Sequence, residues 1–446
     1  MHSTPLKRWL VGLTLLGVVL FSAFLWLKPL LYIGAGYAAK HACSCHFLQG
    51  RELAEIREHD LNFSVLGWTT LTAAENRVSS SFFGLAPRTA VRLEGGACVL
   101  INDAELPPPE YRSGRPESEN AIPAGPTALS DSLAGWDEEA LREAVAFGMQ
   151  PVPGGGARGL VVYADGELLT EAYGSGFDRS SLLLGWSMTK SLTGMAVGAV
   201  LARSPDTRRA SPEAITQLFP EIWKDRRSEI SLADLLRMNS GLAWNEGYGS
   251  ITDATVMLHE RADFADFAAR HQLAEEPGRV WNYSSGTTNL LMDYLAQQLG
   301  GDEALYAFLY DSLYHRIAPS LVIEPDQSGR PVGSSYGWAT ARDWANLGQF
   351  MLQDGVWRGD TLLPPGWVDF MREPATGSEG MYGAQLWLPG EDMPSLPSDA
   401  FMMRGFQDQR VFVIPSRGLV VARLGHGADK VTDFDGLIRR ILAAHE

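Results

Sequence analysis

The sequence predicts an α+β domain: an antiparallel β-sheet flanked by helices, with a mostly helical subdomain inserted into it, behind an N-terminal transmembrane helix. Three observations carry this. Trp9 to Leu27 holds no charged residue. After residue 131 a helix-then-hairpin pattern opens the main region, and a hairpin-then-helix pattern closes the chain. Between them, Ser191 to Gly355 reads as mostly helical, without the strand–helix alternation of a parallel sheet.

The apolar stretch comes first. At about 1.5 Å per residue it crosses most of a hydrocarbon core of about 30 Å. Lys7 and Arg8 precede it, which places the rest of the chain outside the cytoplasm. A cleaved signal peptide is the alternative, but Gly36-Tyr37-Ala38 is a poor cleavage site. The expected plan is a cytoplasmic tail over 1–8, an anchor over 9–31, a small region over 40–106, a Pro-rich linker over 107–130 and one large domain over 131–446. The expected location is a bacterial inner membrane, with the lipid bilayer as partner and the large domain on the periplasmic side.

Composition narrows the function. The chain has 446 residues, 45% of them apolar, with 13 Trp, which excludes a disordered chain. A net charge of -16 argues against nucleic acid as a partner. Lysine is scarce: Lys7, Lys28, Lys40, Lys190, Lys224 and Lys430 are all there are. Of the three cysteines, Cys98 is expected to pair with Cys43 or Cys45. A metal site at Cys43-Ser44-Cys45 is the weaker reading, since only His41 and His46 lie nearby.

Phe47 to Asp60 reads as a short helix with Leu48, Leu53 and Ile56 on one side. Ser64 to Ile101 reads as a few strands, turning at Glu75-Asn76 and Gly95-Gly96. Trp136 to Met149 reads as a helix. Gly159 to Tyr173 reads as a hairpin turning at Asp165-Gly166. Arg410 to Leu424 gives two further strand-like runs, and Asp433 to Ala444 a last helix. The symmetry of the two ends predicts that the first and last strands of the large domain pair.

The chemistry centres on Gly185-Trp186-Ser187-Met188-Thr189-Lys190. Ser187 and Lys190 are three apart at a helix start and so share a face. A serine hydroxyl needs a base within hydrogen-bond reach, and a lysine serves if burial and the helix dipole keep it neutral. The same helix start aims the Ser187 backbone N–H at a developing oxyanion. With six lysines in the chain, this is the only Ser-x-x-Lys match.

The segment Leu183 to Gly194 resembles the active-site helix of the serine β-lactamase and penicillin-binding-protein superfamily. The nearer types are the class C β-lactamases, esterases of similar fold and the 6-aminohexanoate-dimer hydrolase branch. Leu235-Leu236-Arg237-Met238-Asn239-Ser240-Gly241-Leu242 and Pro277-Gly278-Arg279-Val280-Trp281-Asn282-Tyr283-Ser284-Ser285 resemble two more of its segments. The resemblance covers about Leu160 to Leu424. It implies a serine hydrolase acting on an ester or amide through an acyl-enzyme, with no cofactor and no metal. It assigns Tyr283 as the proton relay, with Ser285 where the family usually has Asn. The family's Lys-Thr-Gly strand is absent. Met403-Arg404-Gly405 leads into Phe406-Gln407-Asp408-Gln409 instead, which resembles a Gly-x-x-Gly-Gln variant with Asp408 in the second Gly position. Phe406 then supplies the second oxyanion N–H. Trp186, Asn245, Ser285, Gly405 and Gln409 are the expected substrate contacts. Trp244, Glu246 and Tyr248 are further candidates for the cleft wall. The loss of Lys and Thr favours esters or linear amides. β-Lactamase or D,D-peptidase activity on the same residues is the alternative, as is a non-catalytic cell-envelope binding protein.

Other motifs are set aside. Gly333-Ser334-Ser335-Tyr336-Gly337 has nucleophile-elbow spacing but no strand before it. Gly154 to Gly159 has dinucleotide-motif spacing but follows prolines and precedes a strand. His259-Glu260 lacks a second His at zinc spacing. His426 is expected at the surface.

Overall fold

The structure is a computed structural model that describes residues 4–111, 135–203, 218–428 and 430–445. Most of the expected linker lies outside the described residues.

Helix α1 (Thr4–Phe47) runs 44 residues without a break. Its first half carries exposed Trp9, Leu10, Leu13 and Leu15. Its second half is buried, and small residues on it, Ala35, Ala38, Ala39 and Ala42, let a sheet pack close. That sheet has the order β1 (Thr69–Ala74), β2 (Arg77–Phe82), β3 (Leu85–Arg92) and β4 (Cys98–Leu100), all antiparallel. Gly50, at φ +72, turns the chain after α1, so helix α2 spans only Leu53–His59 and Leu48 precedes it. Cys43 is bonded to Cys98, tying α1 to β4, and Cys45 is a buried free thiol. Among the described residues, which leave out many side chains between 11 and 26, no helix is long and apolar enough to cross a membrane. The expected anchor over 9–31 therefore has no structural support.

The large domain opens with α3 (Glu138–Gly148), capped by the Asp137 side chain, and the hairpin β5 (Gly156–Ala164) and β6 (Glu167–Tyr173). The short strand β7 (Leu183–Leu184) leads into α4 (Thr189–Leu201). Helices α5 (Leu232–Leu236), α6 (Asp253–Glu260), α7 (Phe264–Ala269), α8 (Ser285–Leu299) and α9 (Asp302–Ala307) form the helical part. β8 (Val322–Ile323) and β9 (Gly337–Ala339) join β7 in a small sheet. α10 (Ala341–Leu352), the hairpin β10 (Val356–Trp357) and β11 (Asp360–Thr361), and α11 (Trp367–Arg372) follow. The chain ends with β12 (Phe401–Gly405), β13 (Gln409–Ile414), β14 (Leu419–His426) and α12 (Phe434–Ala443).

The main sheet has the order β12-β13-β14-β5-β6. Its first and last strands in sequence do meet at the centre, with Val421 opposite Val162 and Val420 opposite Tyr163. Alternation sorts its two faces. Leu160, Val162, Phe412 and Val421 pack under α3 and α12. Val161, Val411, Val413 and Val420 pack against the helical side, where Gly348 lets α10 approach. Strand β12 stays at the edge, beside the turn that carries Ser187.

The N-terminal region is fastened to this domain by buried polar contacts. Glu324 is fully buried and accepts from Lys40 Nζ at 2.5 Å, Ser44 Oγ at 2.8 Å, the Cys98 N–H at 2.7 Å and Trp338 Nε1 at 2.8 Å. Asp60, from the turn after α2, binds Arg158 on β5 at 2.6 Å. Tyr111 is buried, its hydroxyl 3.1 Å from that of Tyr310.

Candidate active site

The turn between β7 and α4 is crowded. A Cβ on Gly185 would overlap the Trp344 ring, and one on Gly405 would overlap the Gly185 carbonyl oxygen. Only glycines allow β12 to press against this turn. Trp186 takes φ +47, a left-handed conformation rare for a bulky residue and common where function holds the backbone in place. Ser187 follows in a single 3₁₀ turn and is half-buried, while α4 behind it is almost wholly buried.

Lys190 is 1% exposed. Its Nζ lies 3.0 Å from Ser187 Oγ, 2.9 Å from Ser285 Oγ and 3.0 Å from the Ser334 carbonyl oxygen. Burial lowers its pKa from 10.5 to about 8, against the raising effect of Glu246, whose Oε1 is 3.9 Å away. A neutral amine at this distance is able to accept the serine proton.

Tyr283 stands beside the same pair. Lys190 Nζ is 4.9 Å from the centre of its ring. Burial pushes its phenol above the ordinary range and the Glu246 charge adds to that, while hydrogen bonding to Ser187 pulls the other way. The ring is framed by Trp281, Tyr382 and Trp387. The tyrosine is therefore neutral and in contact with the serine hydroxyl.

Not every expected contact faces the cleft. Ser285 is fully buried at the start of α8, with its hydroxyl between Lys190 and Glu246. Gln409 is also buried. Its amide donates to the carbonyls of Phe406, Gln407 and Gly425, and so braces the β12–β13 turn from behind. Asn245 is exposed and caps its own loop by accepting from the Gly247 N–H. Trp186 packs between Tyr37, His41 and Phe406, and it does line a cavity that reaches Ser187. His426 is buried beside Phe63, and burial with nearby Arg158 drives its pKa down to about 3, so it is not a surface group. Ser335 is buried, and its loop contributes the Ser334 carbonyl to Lys190. Asp408 takes φ +61 where the family pattern has glycine, and its carboxylate accepts from the backbone N–H groups of Lys430, Val431 and Thr432.

Gly405, Phe406 and Arg404 do reach the cleft, with the Arg404 guanidinium 4.5 Å from the Trp387 ring centre. Glu246, expected only as a candidate for the cleft wall, organises the floor. It accepts from the Ser285 N–H at 2.8 Å, from Trp244 Nε1 at 2.5 Å, and from the hydroxyls of Ser285 and Tyr248. Only its position four residues after Leu242 hinted at this. Among the described residues one group has metal-ligand spacing: His41, Cys45 and Asp60. Asp60 there already balances Arg51 and Arg158.

A buried lysine on a serine, at a helix start under the edge of an antiparallel sheet, defines a serine hydrolase. A family model described as "Beta-lactamase" matches residues 139–446, and the chain belongs to that family. It is 26% identical over 300 residues to the 6-aminohexanoate-dimer hydrolase of Paenarthrobacter ureafaciens, covering 61% of this chain and 73% of that protein. A putative 6-aminohexanoate-dimer hydrolase from Bacillus anthracis superposes with a TM-score of 0.56 at 18% identity, over 68% of this chain and 80% of its own. A family VIII carboxylesterase gives 0.54 at 14% identity, over 69% and 97%. Everything from α1 to β4 lies outside the family match.

Proposed function

We propose that this chain hydrolyses an ester or amide through an acyl-enzyme on Ser187. The observation that carries the reading is the 3.0 Å contact of Ser187 Oγ with a lysine whose pKa is brought to about 8. Neutral Lys190 takes the Ser187 proton as Oγ attacks the carbonyl carbon. The oxyanion is held by the backbone N–H groups of Ser187 and Phe406. Tyr283 passes the proton to the leaving group, the C–O or C–N bond breaks, and water then releases the acid by the reverse relay. General acid–base help of this kind is worth about 10²–10⁴-fold.

The absence of a Lys-Thr-Gly strand supports an ester or linear amide over a β-lactam. The test is labelling with a fluorophosphonate. A mass increase on the peptide containing Ser187, absent in Ser187→Ala, is expected. An unlabelled wild-type protein overturns the assignment, and rapid nitrocefin hydrolysis overturns the preference against β-lactams.

We further propose that residues 9–27 sit in a lipid bilayer with the catalytic domain on the exported side. The uncharged stretch and the Cys43–Cys98 disulfide support this. Recovery of the full chain in the alkali-washed membrane fraction is the expected result, and recovery in the soluble fraction overturns it.

A further inference from the structure

Two cavities meet at Ser187, and they differ in chemistry. One is open, about 1240 Å³, and its walls include Glu379, Glu391, Asp392, Arg404 and Asp433. The other is about 280 Å³ and, among the described residues, has no Asp, Glu, Lys or Arg in its wall. Ser187, Tyr248 and Phe406 border both.

The smaller cavity is built largely by the N-terminal region. Leu30, Ile33, Gly34 and Tyr37 line it from α1. Their spacing, i, i+3, i+4, i+7, is one face of a helix. Phe63, Val65 and Leu66 close a second side, and Trp186 and Leu258 belong to the large domain. The one His in the wall, His259, is neutral, because burial and the nearby Arg88 and Lys40 charges lower its pKa to about 3. The cavity thus holds no charge to receive an ammonium or a carboxylate.

Tyr283 decides which half of a substrate goes where. It lines the open cavity and not the apolar one. A leaving group protonated by Tyr283 must therefore lie in the charged, open cavity. The acyl half must lie on the other side of the carbonyl, in the apolar one.

We infer that the N-terminal region supplies an acyl-chain pocket, and that the substrate carries an uncharged aliphatic acyl group of medium length. The inference rests on the acyl-enzyme reading above. A water's share of liquid volume is about 30 Å³, and a methylene is of similar size, so the cavity takes roughly eight to ten carbons. In the reaction Ser187 Oγ forms an ester with the acyl carbon, the leaving group departs with the serine proton, and water returns the fatty acid and the free serine. No other reactant is needed.

The test uses the full chain in detergent and p-nitrophenyl esters from acetate to palmitate, with fluorophosphonate labelling of Ser187 in parallel. kcat/KM should rise by about fourfold per methylene up to eight or ten carbons and then level off. Val65→Trp, filling the cavity from the N-terminal side, should lose most turnover of the decanoate while keeping that of the acetate. Ser250 lines the cavity from the large domain, and Ser250→Trp should do the same, which covers the case in which one variant fails to fold. A flat chain-length profile with intact labelling overturns the pocket and leaves the acyl-enzyme standing. Decanoate turnover unchanged in both filled variants does so too. Absence of labelling in the wild type overturns both.

Discussion

Lys190 and Glu246 face each other at 3.9 Å on the floor of the cleft, where burial and the carboxylate pull the lysine pKa in opposite directions. Burial lowers it and the carboxylate raises it, leaving it near 8. Because the base must be neutral, kcat/KM should climb with pH through about 8, with about a tenth of the enzyme active at pH 7. Glu246→Gln removes the raising charge and keeps the shape. Its acid limb should therefore move to lower pH, with the plateau reduced by no more than about tenfold. An acid limb that stays in place would show that the pair is not coupled to catalysis.

The same burial has a stability sign. The folded pKa of Lys190 lies below the 10.5 of an ordinary lysine, so between about pH 8 and 10.5 the unfolded chain binds more protons. That term favours folding fully above about 10.5 and is lost as pH falls through about 8. Lys190→Met has no such group. The melting temperature of the wild type relative to Lys190→Met should rise between pH 8 and pH 10, and Lys190→Met should have lost at least 10³-fold in kcat. A pH-independent gap in melting temperature contradicts a shifted lysine.

In the proposed relay Tyr283 serves the leaving group more than the attack. Tyr283→Phe should then hurt substrates in proportion to how badly their leaving group needs a proton. For alkyl esters and anilides the loss in kcat should be about 10²–10³-fold. For p-nitrophenyl esters, whose leaving group departs as an anion, it should be tenfold or less. Equal losses on both classes would assign Tyr283 to positioning alone. Steady-state assays on matched acyl groups separate the two.

The sequence made some of this legible and hid the rest for physical reasons. Ser187 and Lys190 share a helix face whatever the tertiary structure, so three-residue spacing was enough. The meeting of β5 and β14 followed from two hairpins whose apolar runs needed both faces covered. Asn245 stays exposed and Glu246 turns inward, because a loop has no period to fix which side chain does so. Gln409 turned inward because the carbonyls of Phe406, Gln407 and Gly425 need donors, a demand no local pattern announces. The uncharged run in α1 masked a second fact. Its continuation carries the small residues that pack on the N-terminal sheet and the Tyr37 ring that packs on Trp186 of the large domain.

The joint between the two parts rests on Lys40 and Glu324, 2.5 Å apart and almost wholly buried. Burial lowers the Lys40 pKa, and Glu324 opposes that shift. Glu324 also accepts from Ser44, Cys98 and Trp338, so its removal strands several donors together with a buried ammonium. Removing one partner of such a pair costs about 3–5 kcal/mol, whereas replacing both by groups of similar volume is often near neutral. Glu324→Gln alone should therefore destabilise the protein by a few kcal/mol. Lys40→Met with Glu324→Gln should recover most of that, since Gln still accepts from the Cys98 N–H. Denaturant unfolding of the two single variants and the double variant measures the coupling. If the N-terminal region also forms the acyl pocket, Glu324→Gln should lose turnover of the decanoyl ester before that of the acetyl ester as temperature rises. This follows because loosening the joint opens the apolar cavity while leaving the contact between Ser187 and Lys190 intact.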